Sequence, residues 1–279
     1  MPIDLSGPVR IISDIHWGHP VSLVRRPEQL RPLFEGAGTV VFNGDTLEQA
    51  PGFDGSAEER PEAAFEEVCR EAGAGAFFVS GNHDPSISGH DLLALEDGRV
   101  LVTHGDVLFP EISVWGRTRH ELRAACESLY EPGRTPYEEG FGGLTARVRE
   151  TCRVMLDDRG ADGVVWCGWR RFLLREGWPP RRAFRILRCW RETALRGVGL
   201  AERHHATPRF VVIGHTHFPG VWHRDGVTVI NTGSYFPFMG RRLVEIHEGE
   251  LTVRRVVRRK NAFYPGKLLG RWRVEGDVG

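Results

Sequence analysis

Apolar residues in this chain fall in short runs, and most of the runs stop at a cluster of polar ones. Segments 9–13, 39–43, 76–80, 99–103 and 210–213 are rich in Val, Ile, Phe or Leu and hardly alternate. Apolarity that is continuous over so few residues predicts strands buried on both faces. Segments 227–230, 243–246 and 251–257 predict further strands. Residues 21–35 and 60–72 carry helical signals, with Pro61 suited to a first helical turn and Gly73 to a helix end. Strands that alternate with helices, then a run of strands towards the C-terminus, predict a layered α/β sandwich.

The rhythm breaks after Phe109 and resumes after Thr207, a span far longer than an ordinary connection. Residues 111–206 carry helical rather than strand signals. They predict a helical insertion, a lid or cap, in a core made of 1–110 and 207–279. Glu131-Pro132-Gly133 and Trp178-Pro179-Pro180 predict breaks between its helices. From Arg170 to Arg196 nine arginines face only Glu176 and Glu192. On a helix over 181–194, Ala183, Ile186, Leu187, Trp190 and Ala194 share one face, and Arg181, Arg185 and Arg188 lie opposite. Trp166, Trp169 and Trp178 lie just before it. A solvated amphipathic surface is the first expectation for such a helix, with phosphate, nucleic acid or a lipid interface as the functional alternatives.

The polar clusters carry the chemistry. They are Asp14-Ile15-His16, Gly44-Asp45-Thr46-Leu47-Glu48, Gly81-Asn82-His83-Asp84, His104-Gly105-Asp106 and Gly214-His215-Thr216-His217. Each follows a predicted strand, where catalytic side chains gather in layered α/β folds. Carboxylates, an Asn amide and several imidazoles suit two adjacent divalent metals, with Mn, Fe or Zn fitting better than Ca. In extended geometry Asp14 and His16 point into one opening, and His215 and His217 repeat that spacing. Asp45 is expected to bridge the metals. His83 would protonate a leaving oxygen or stabilise phosphoryl charge, and Asp84 would orient His83. Glu48 and Asp106 line the site or hold turns, and Asn231, Gly233 and Ser234 form a strand-end turn near it. His19, His90, His120, His204, His205, His223 and His247 are expected on surfaces or loops.

With these motifs in this order, the chain resembles the calcineurin-like metallophosphoesterases over residues 9–110 and 207–250. The resemblance implies a four-layer α-β-β-α metallophosphoesterase sandwich with an inserted helical subdomain. It implies one metal site of Asp14, His16, Asp45 and His217 and a second of Asp45, Asn82, His104 and His215, with His83 as the catalytic imidazole. Gly44-Asp45-Thr46-Leu47-Glu48, Thr103-His104-Gly105-Asp106 and the insertion resemble the UDP-2,3-diacylglucosamine hydrolases within that family. His83, where those hydrolases usually carry Arg, and Asn231-Thr232-Gly233-Ser234 resemble the general phosphodiesterases instead. The implied activity is hydrolysis of a phosphodiester or pyrophosphate bond through a metal-bridging hydroxide on two divalent ions. Mn is expected, with Fe, Zn and Mg as alternatives. A general phosphodiesterase or nuclease is the second reading, and a non-catalytic scaffold on the same fold the third.

Composition narrows this in two respects. Lys plus Arg and Asp plus Glu both number 37, so global charge does not argue for an anionic partner. Five cysteines without C-x-x-C spacing argue against a disulfide framework or zinc ribbon, and buried packing in a reducing compartment is expected. No signal peptide or spanning run is visible. A cytoplasmic protein is therefore expected, free or peripheral to the membrane, acting on a small phosphoester or a nucleotide-linked lipid. The oligomeric state stays open.

Overall fold

The structure, a computed structural model, describes residues 7–49, 60–112, 119–129, 140–158, 180–203 and 208–275. In chain order the strands are β1 (Val9–Ile12), β2 (Thr39–Asn43), β3 (Gly75–Val79), β4 (Leu92–Leu95), β5 (Val100–Thr103) and β6 (Phe210–Ile213). They continue with β7 (Gly220–Arg224), β8 (Val227–Asn231), β9 (Arg242–His247), β10 (Glu250–Arg259) and β11 (Ala262–Arg273). The helices are α1 (Arg31–Phe34), α2 (Ala63–Glu71), α3 (Arg119–Ser128), α4 (Gly140–Asp158) and α5 (Pro180–Arg203).

Two mixed sheets result, ordered β11-β10-β9-β1-β2-β3 and β4-β5-β6-β8-β7. Alternate side chains of the central strands feed different cores, which is why those strands read as continuously apolar. Val9 and Ile11 of β1, Val41 of β2, Val212 of β6 and Ile230 of β8 fill the space between the sheets. Ile12, Val40 and Phe42 face outward onto Leu33 and Phe34 of α1 and Phe65 and Val68 of α2. Val211, Ile213 and Val229 face the other way, onto Leu122, Val148, Cys189 and Val198 of α3, α4 and α5. The expected four-layer α-β-β-α sandwich is thus present, and the described helices between 119 and 203 supply its second outer layer.

Three expectations change. Only Pro27–Leu30, a 3-10 turn, and α1 are helical in the 21–35 segment, because Arg26 precedes a proline and is extended at φ −144°, ψ 136°. The buried residues of α5 are Cys189, Thr193 and Gly197 with Val198, Leu200 and Ala201, whereas Leu187 on the expected apolar face is 54% exposed. A small residue is required at the closest point because α5 lies close on β8, where a Cβ on Gly197 would come within 2.9 Å of Val229. Strands β4, β7 and β11 are additional, and all three are sheet edges. β11 carries Pro265, which an edge strand tolerates. Trp166, Trp169, Trp178 and the 131–133 break lie outside the described residues.

Candidate metal centre

The clusters meet because β1–β2–β3 and β5–β6–β8 are parallel sets whose carboxyl ends converge on one edge of the sandwich. Asn43, closing the apolar run of β2, joins the sheets there: its amide donates to the carbonyl of Thr103 at 2.8 Å. Sequence reasoning missed it, although a polar residue ending a run of four apolar or β-branched ones was a signal.

The geometry within the clusters is not extended. Asp14, His16, Asp45, His215 and His217 have φ of 53°, 49°, 50°, 63° and 57°, all left-handed. Non-glycine residues rarely adopt this conformation, at about 1 kcal/mol or more each, and the surroundings must hold it. Backbone bonds do so here: Asp14 N–H donates to Gly44 O at 3.1 Å, His16 N–H to Asp45 O at 2.8 Å and Tyr235 N–H to Asp14 O at 3.1 Å. Ile15 is buried in the outer core between the two ligand candidates. Three glycines allow the close approach. A Cβ at Gly44 would overlap the His104 ring, at Gly81 the Asp45 carboxylate, and at Gly214 the Asp14 carboxylate and Ser13.

Seven donors form two groups that share Asp45. In the first, His217 Nε2 is 3.2 Å from both Asp14 Oδ1 and His16 Nε2, and His16 Nε2 is 3.6 Å from Asp45 Oδ2. In the second, His104 Nε2 is 3.2 Å from the same Asp45 Oδ2 and 3.3 Å from Asn82 Oδ1, and His215 Nδ1 is 2.9 Å from Asn82 Oδ1. Asp14, His16, Asp45 and His217, and separately Asp45, His104 and His215, offer ligand atoms within 4.8 Å of one another.

Hydrogen bonds behind the rings decide what the rings present. His104 Nδ1–H donates to Asn43 O at 3.0 Å, His215 Nε2–H to Ile112 O at 2.7 Å and His16 Nδ1–H to Glu48 at 3.0 Å. A carbonyl or carboxylate can only accept, so the other nitrogen of each ring is the one left facing inward, where a metal would be held. Burial works to raise the Asp45 pKa, but His104, His83 and His16 outweigh it and hold the carboxyl well below its ordinary range. Asp14 is likewise lowered against its burial, by His217 and His104. Burial and the charge of His104 bring His215 down to about 3, and burial lowers His217. His104 goes the other way: against its burial, Asp45 and Asp14 hold it well above its ordinary value. Two anionic carboxylates that draw positive charge to this cluster fit divalent cations.

His83 stands at the mouth of this cluster. Its Nδ1–H donates to Glu48 Oε1 at 3.0 Å and its ring meets that of His16 edge-on at 4.8 Å. Glu48 therefore holds both His16 and His83, and despite its burial those two rings keep it well below the usual carboxylate range. The role expected of Asp84 is corrected: both of its oxygens accept backbone N–H groups. Gly81 and Asp45 donate to one, at 2.8 and 3.0 Å, and Thr46 and Leu47 to the other, at 2.7 and 3.1 Å. Asp84 shapes the Asp45 loop, while Glu48 orients His83. Asp106 accepts from Val107 N–H, and burial pushes its pKa up to about 6.

No known protein-family profile and no curated protein matches this sequence. Solved structures overlay at low similarity. An uncharacterized Streptococcus pneumoniae protein named as a predicted phosphoesterase shares 16% identity over 96% of this chain and 97% of its own, at a TM-score of 0.38. Yfce, a phosphoesterase from E. coli, shares 16% identity over 96% of this chain and all of its own (100%), at 0.42. Entamoeba histolytica Vps29 complexed with zinc shares 13% over 96% and 99%, at 0.38. These likenesses carry nothing further; function has to come from the site's own residues.

Other residues close around the centre. Phe236 stacks on the His16 ring at 4.7 Å and meets His217 edge-on at 5.1 Å, with no sequence signal to announce it. Asn231 holds the Gly214-His217 loop through Gly214 O at 2.6 Å and Thr216 Oγ1 at 2.9 Å. Arg149 of α4 donates to the carbonyls of Pro85 and Ser88 and pairs with Asp91, clamping the loop that follows His83. His19 lies beside His16 and Phe236, half-buried, and burial lowers it to about 4. His90, His120, His223 and His247 lie away from the cluster; His204 and His205 are outside the described residues. Among the described residues no helix is long and apolar enough to cross a membrane.

Proposed function

We propose that this chain is a metal-dependent phosphoesterase that hydrolyses a phosphodiester or pyrophosphate bond. The observation that carries this is the shared carboxylate: Asp45 Oδ2 faces His16 on one side and His104 on the other. Asp14, His16, Asp45 and His217 would hold one divalent ion, and Asp45, Asn82, His104 and His215 the other. When bound, such a pair supplies charge neutralisation at the phosphoryl oxygens and acidifies a water. Mn is the expected metal.

His83 then has one task. Glu48 fixes Nδ1–H, so Nε2 is the atom that gives a proton to the leaving oxygen, and the Glu48 carboxylate stabilises the charged ring beforehand. The buried Gly44, Gly81 and Gly214 loops keep the cluster rigid and close. Helices α4 and α5, fastened to the loops after His83 and around Thr216, support a role for the 111–206 segment in shaping access to the centre.

The test is hydrolysis of bis-p-nitrophenyl phosphate and UDP-2,3-diacylglucosamine by Mn²⁺-loaded protein, with metal content measured alongside. Asp45→Ala should lose both metals and activity; retention of both metals overturns the bridge. His83→Ala should keep the metals and lose about 10²–10⁴-fold in rate. Turnover of the lipid assigns a pyrophosphatase, turnover of the diester alone a phosphodiesterase, and turnover of neither by metal-loaded protein overturns the reading.

A further inference from the structure

The chain is neutral overall, but its charge is unevenly placed. The β10–β11 hairpin, residues 250–273, carries eight arginine and lysine residues against one acid, Glu250, and includes the only two lysines of the protein. Several surface arginines elsewhere are neutralised by nearby glutamates, as in Arg60–Glu66, Arg123–Glu127 and Arg188–Glu192. On the hairpin only Arg271 pairs with a carboxylate among the described residues, at 3.3 Å from Glu250. Arg255, Arg258, Arg259, Lys260 and Lys267 are exposed.

Two contacts make the clustering costly to the fold. Arg242 of β9 stands directly opposite Arg255 of β10 in the antiparallel register, a like-charge pairing that destabilises a sheet. Burial and Arg255 together lower the pKa of Arg242, and burial and Arg258 that of Arg241. Uncompensated repulsion at adjoining positions marks a surface set up for an anion.

This surface runs back to the metal centre along two routes. Arg242 donates to the carbonyl of Pro219 at 3.2 Å, two residues past His217. Gln29 donates to Asn261 O in the hairpin turn at 2.6 Å and accepts from the amides of Arg25 and Arg26, at 2.6 and 3.0 Å. Arg25 and Arg26 are themselves exposed and follow the His16–His19 turn. Phe238 is 79% exposed at φ 65°, two residues beyond the Phe236 that stacks on His16. A bulky aromatic held outward in a left-handed conformation is a strained feature of the kind found at ligand sites. Tyr264 on β11 is 37% exposed among the basic residues.

We propose that this rim, from Phe238 along Arg242 and Arg255 to the hairpin turn, binds a single strand of nucleic acid and lays it past the metal centre. Unpaired cations take the phosphates, and exposed aromatics interleaved with them take bases, a combination that suits a flexible strand better than a duplex. The substrate clause rests on the phosphoesterase reading; the binding clause does not.

Fluorescence anisotropy of a labelled, phosphorothioate-linked thymidine strand with the metal-loaded protein reads binding while slowing hydrolysis. Affinity should fall with salt at a log–log slope of roughly −3, as for four or five phosphate contacts. Arg255→Glu with Arg259→Glu should weaken binding at least about tenfold and flatten the slope by roughly 1. Phe238→Ala, a change at an exposed position, should weaken it at least about fivefold. Thermal melts exclude unfolding of either variant. Wild-type protein that ignores the strand at low salt, variants that bind like wild type, or capture of phosphatidylglycerol vesicles but not the strand would each overturn the rim. Turnover of bis-p-nitrophenyl phosphate without strand binding defeats this inference alone, and strand binding without turnover defeats only the phosphoesterase reading.

Discussion

The indole N–H of Trp190 donates to the carbonyl of Thr216 at 2.9 Å, tying α5 to the residue between His215 and His217. The same indole stacks on Phe218 at 4.4 Å with planes 16° apart. A residue within the 111–206 segment therefore steadies one strained loop of the metal centre.

Trp190→Phe keeps the stacking partner and removes the N–H. It should cost about 1 kcal/mol of stability and weaken metal binding, because Thr216 loses its tether. Calorimetric metal titration beside a denaturant melt checks this; unchanged metal affinity would separate α5 from the site.

Gly214→Ala puts a methyl group where the Asp14 carboxylate and Ser13 hydroxyl lie. Neither can retreat, since Asp14 also accepts the His215 N–H at 3.0 Å and Ser13 contacts Thr232 Oγ1 at 2.5 Å. The variant should lose about 1–3 kcal/mol and most of its metal. Metal analysis of purified protein decides it.

Glu48→Gln and Asp84→Asn should fail in different ways. The first keeps the shape but loses the charge facing His16 and His83, so it should fold and lose about 10–100-fold in metal affinity or activity. The second turns amide hydrogens towards backbone N–H donors and should lose roughly 2–4 kcal/mol of stability. Melts and steady-state rates on both proteins distinguish an orienting carboxylate from a structural one.

Burial pushes the thiols of Cys69 and Cys189 up to about 12. A thiol whose pKa is raised on folding adds stability that is complete below its ordinary value near 9 and is lost as pH climbs towards 12. Iodoacetamide at pH 8 should leave both unlabelled in the native protein and label both in denaturant; rapid native labelling read by mass spectrometry would contradict their burial.

Strands legible in the sequence were those buried on both faces, such as β2 and β6, since continuous apolarity leaves them no other stable place. Edge strands β7 and β11 were hidden because half-exposed strands mix polar and apolar residues and tolerate Pro265. The arginine helix shows the same limit: an apolar arc on a helical wheel does not say which arc a neighbour covers, and the close approach to β8 at Gly197 decided it.

The ligand candidates were determined by residue type and order alone, since few side chains bind divalent metals and they stand directly after buried runs. What only tertiary structure decided was how they are held. Left-handed backbone at Asp14, His16, Asp45, His215 and His217 replaced the extended geometry, because hydrogen bonds from neighbouring strand ends offset that strain. The partner of His83 likewise came from a loop thirty-five residues away, Glu48, and not from its neighbour Asp84. Sequence adjacency says little about where a side chain aims once the backbone turns, and the amides around Asp84 had already claimed its oxygens.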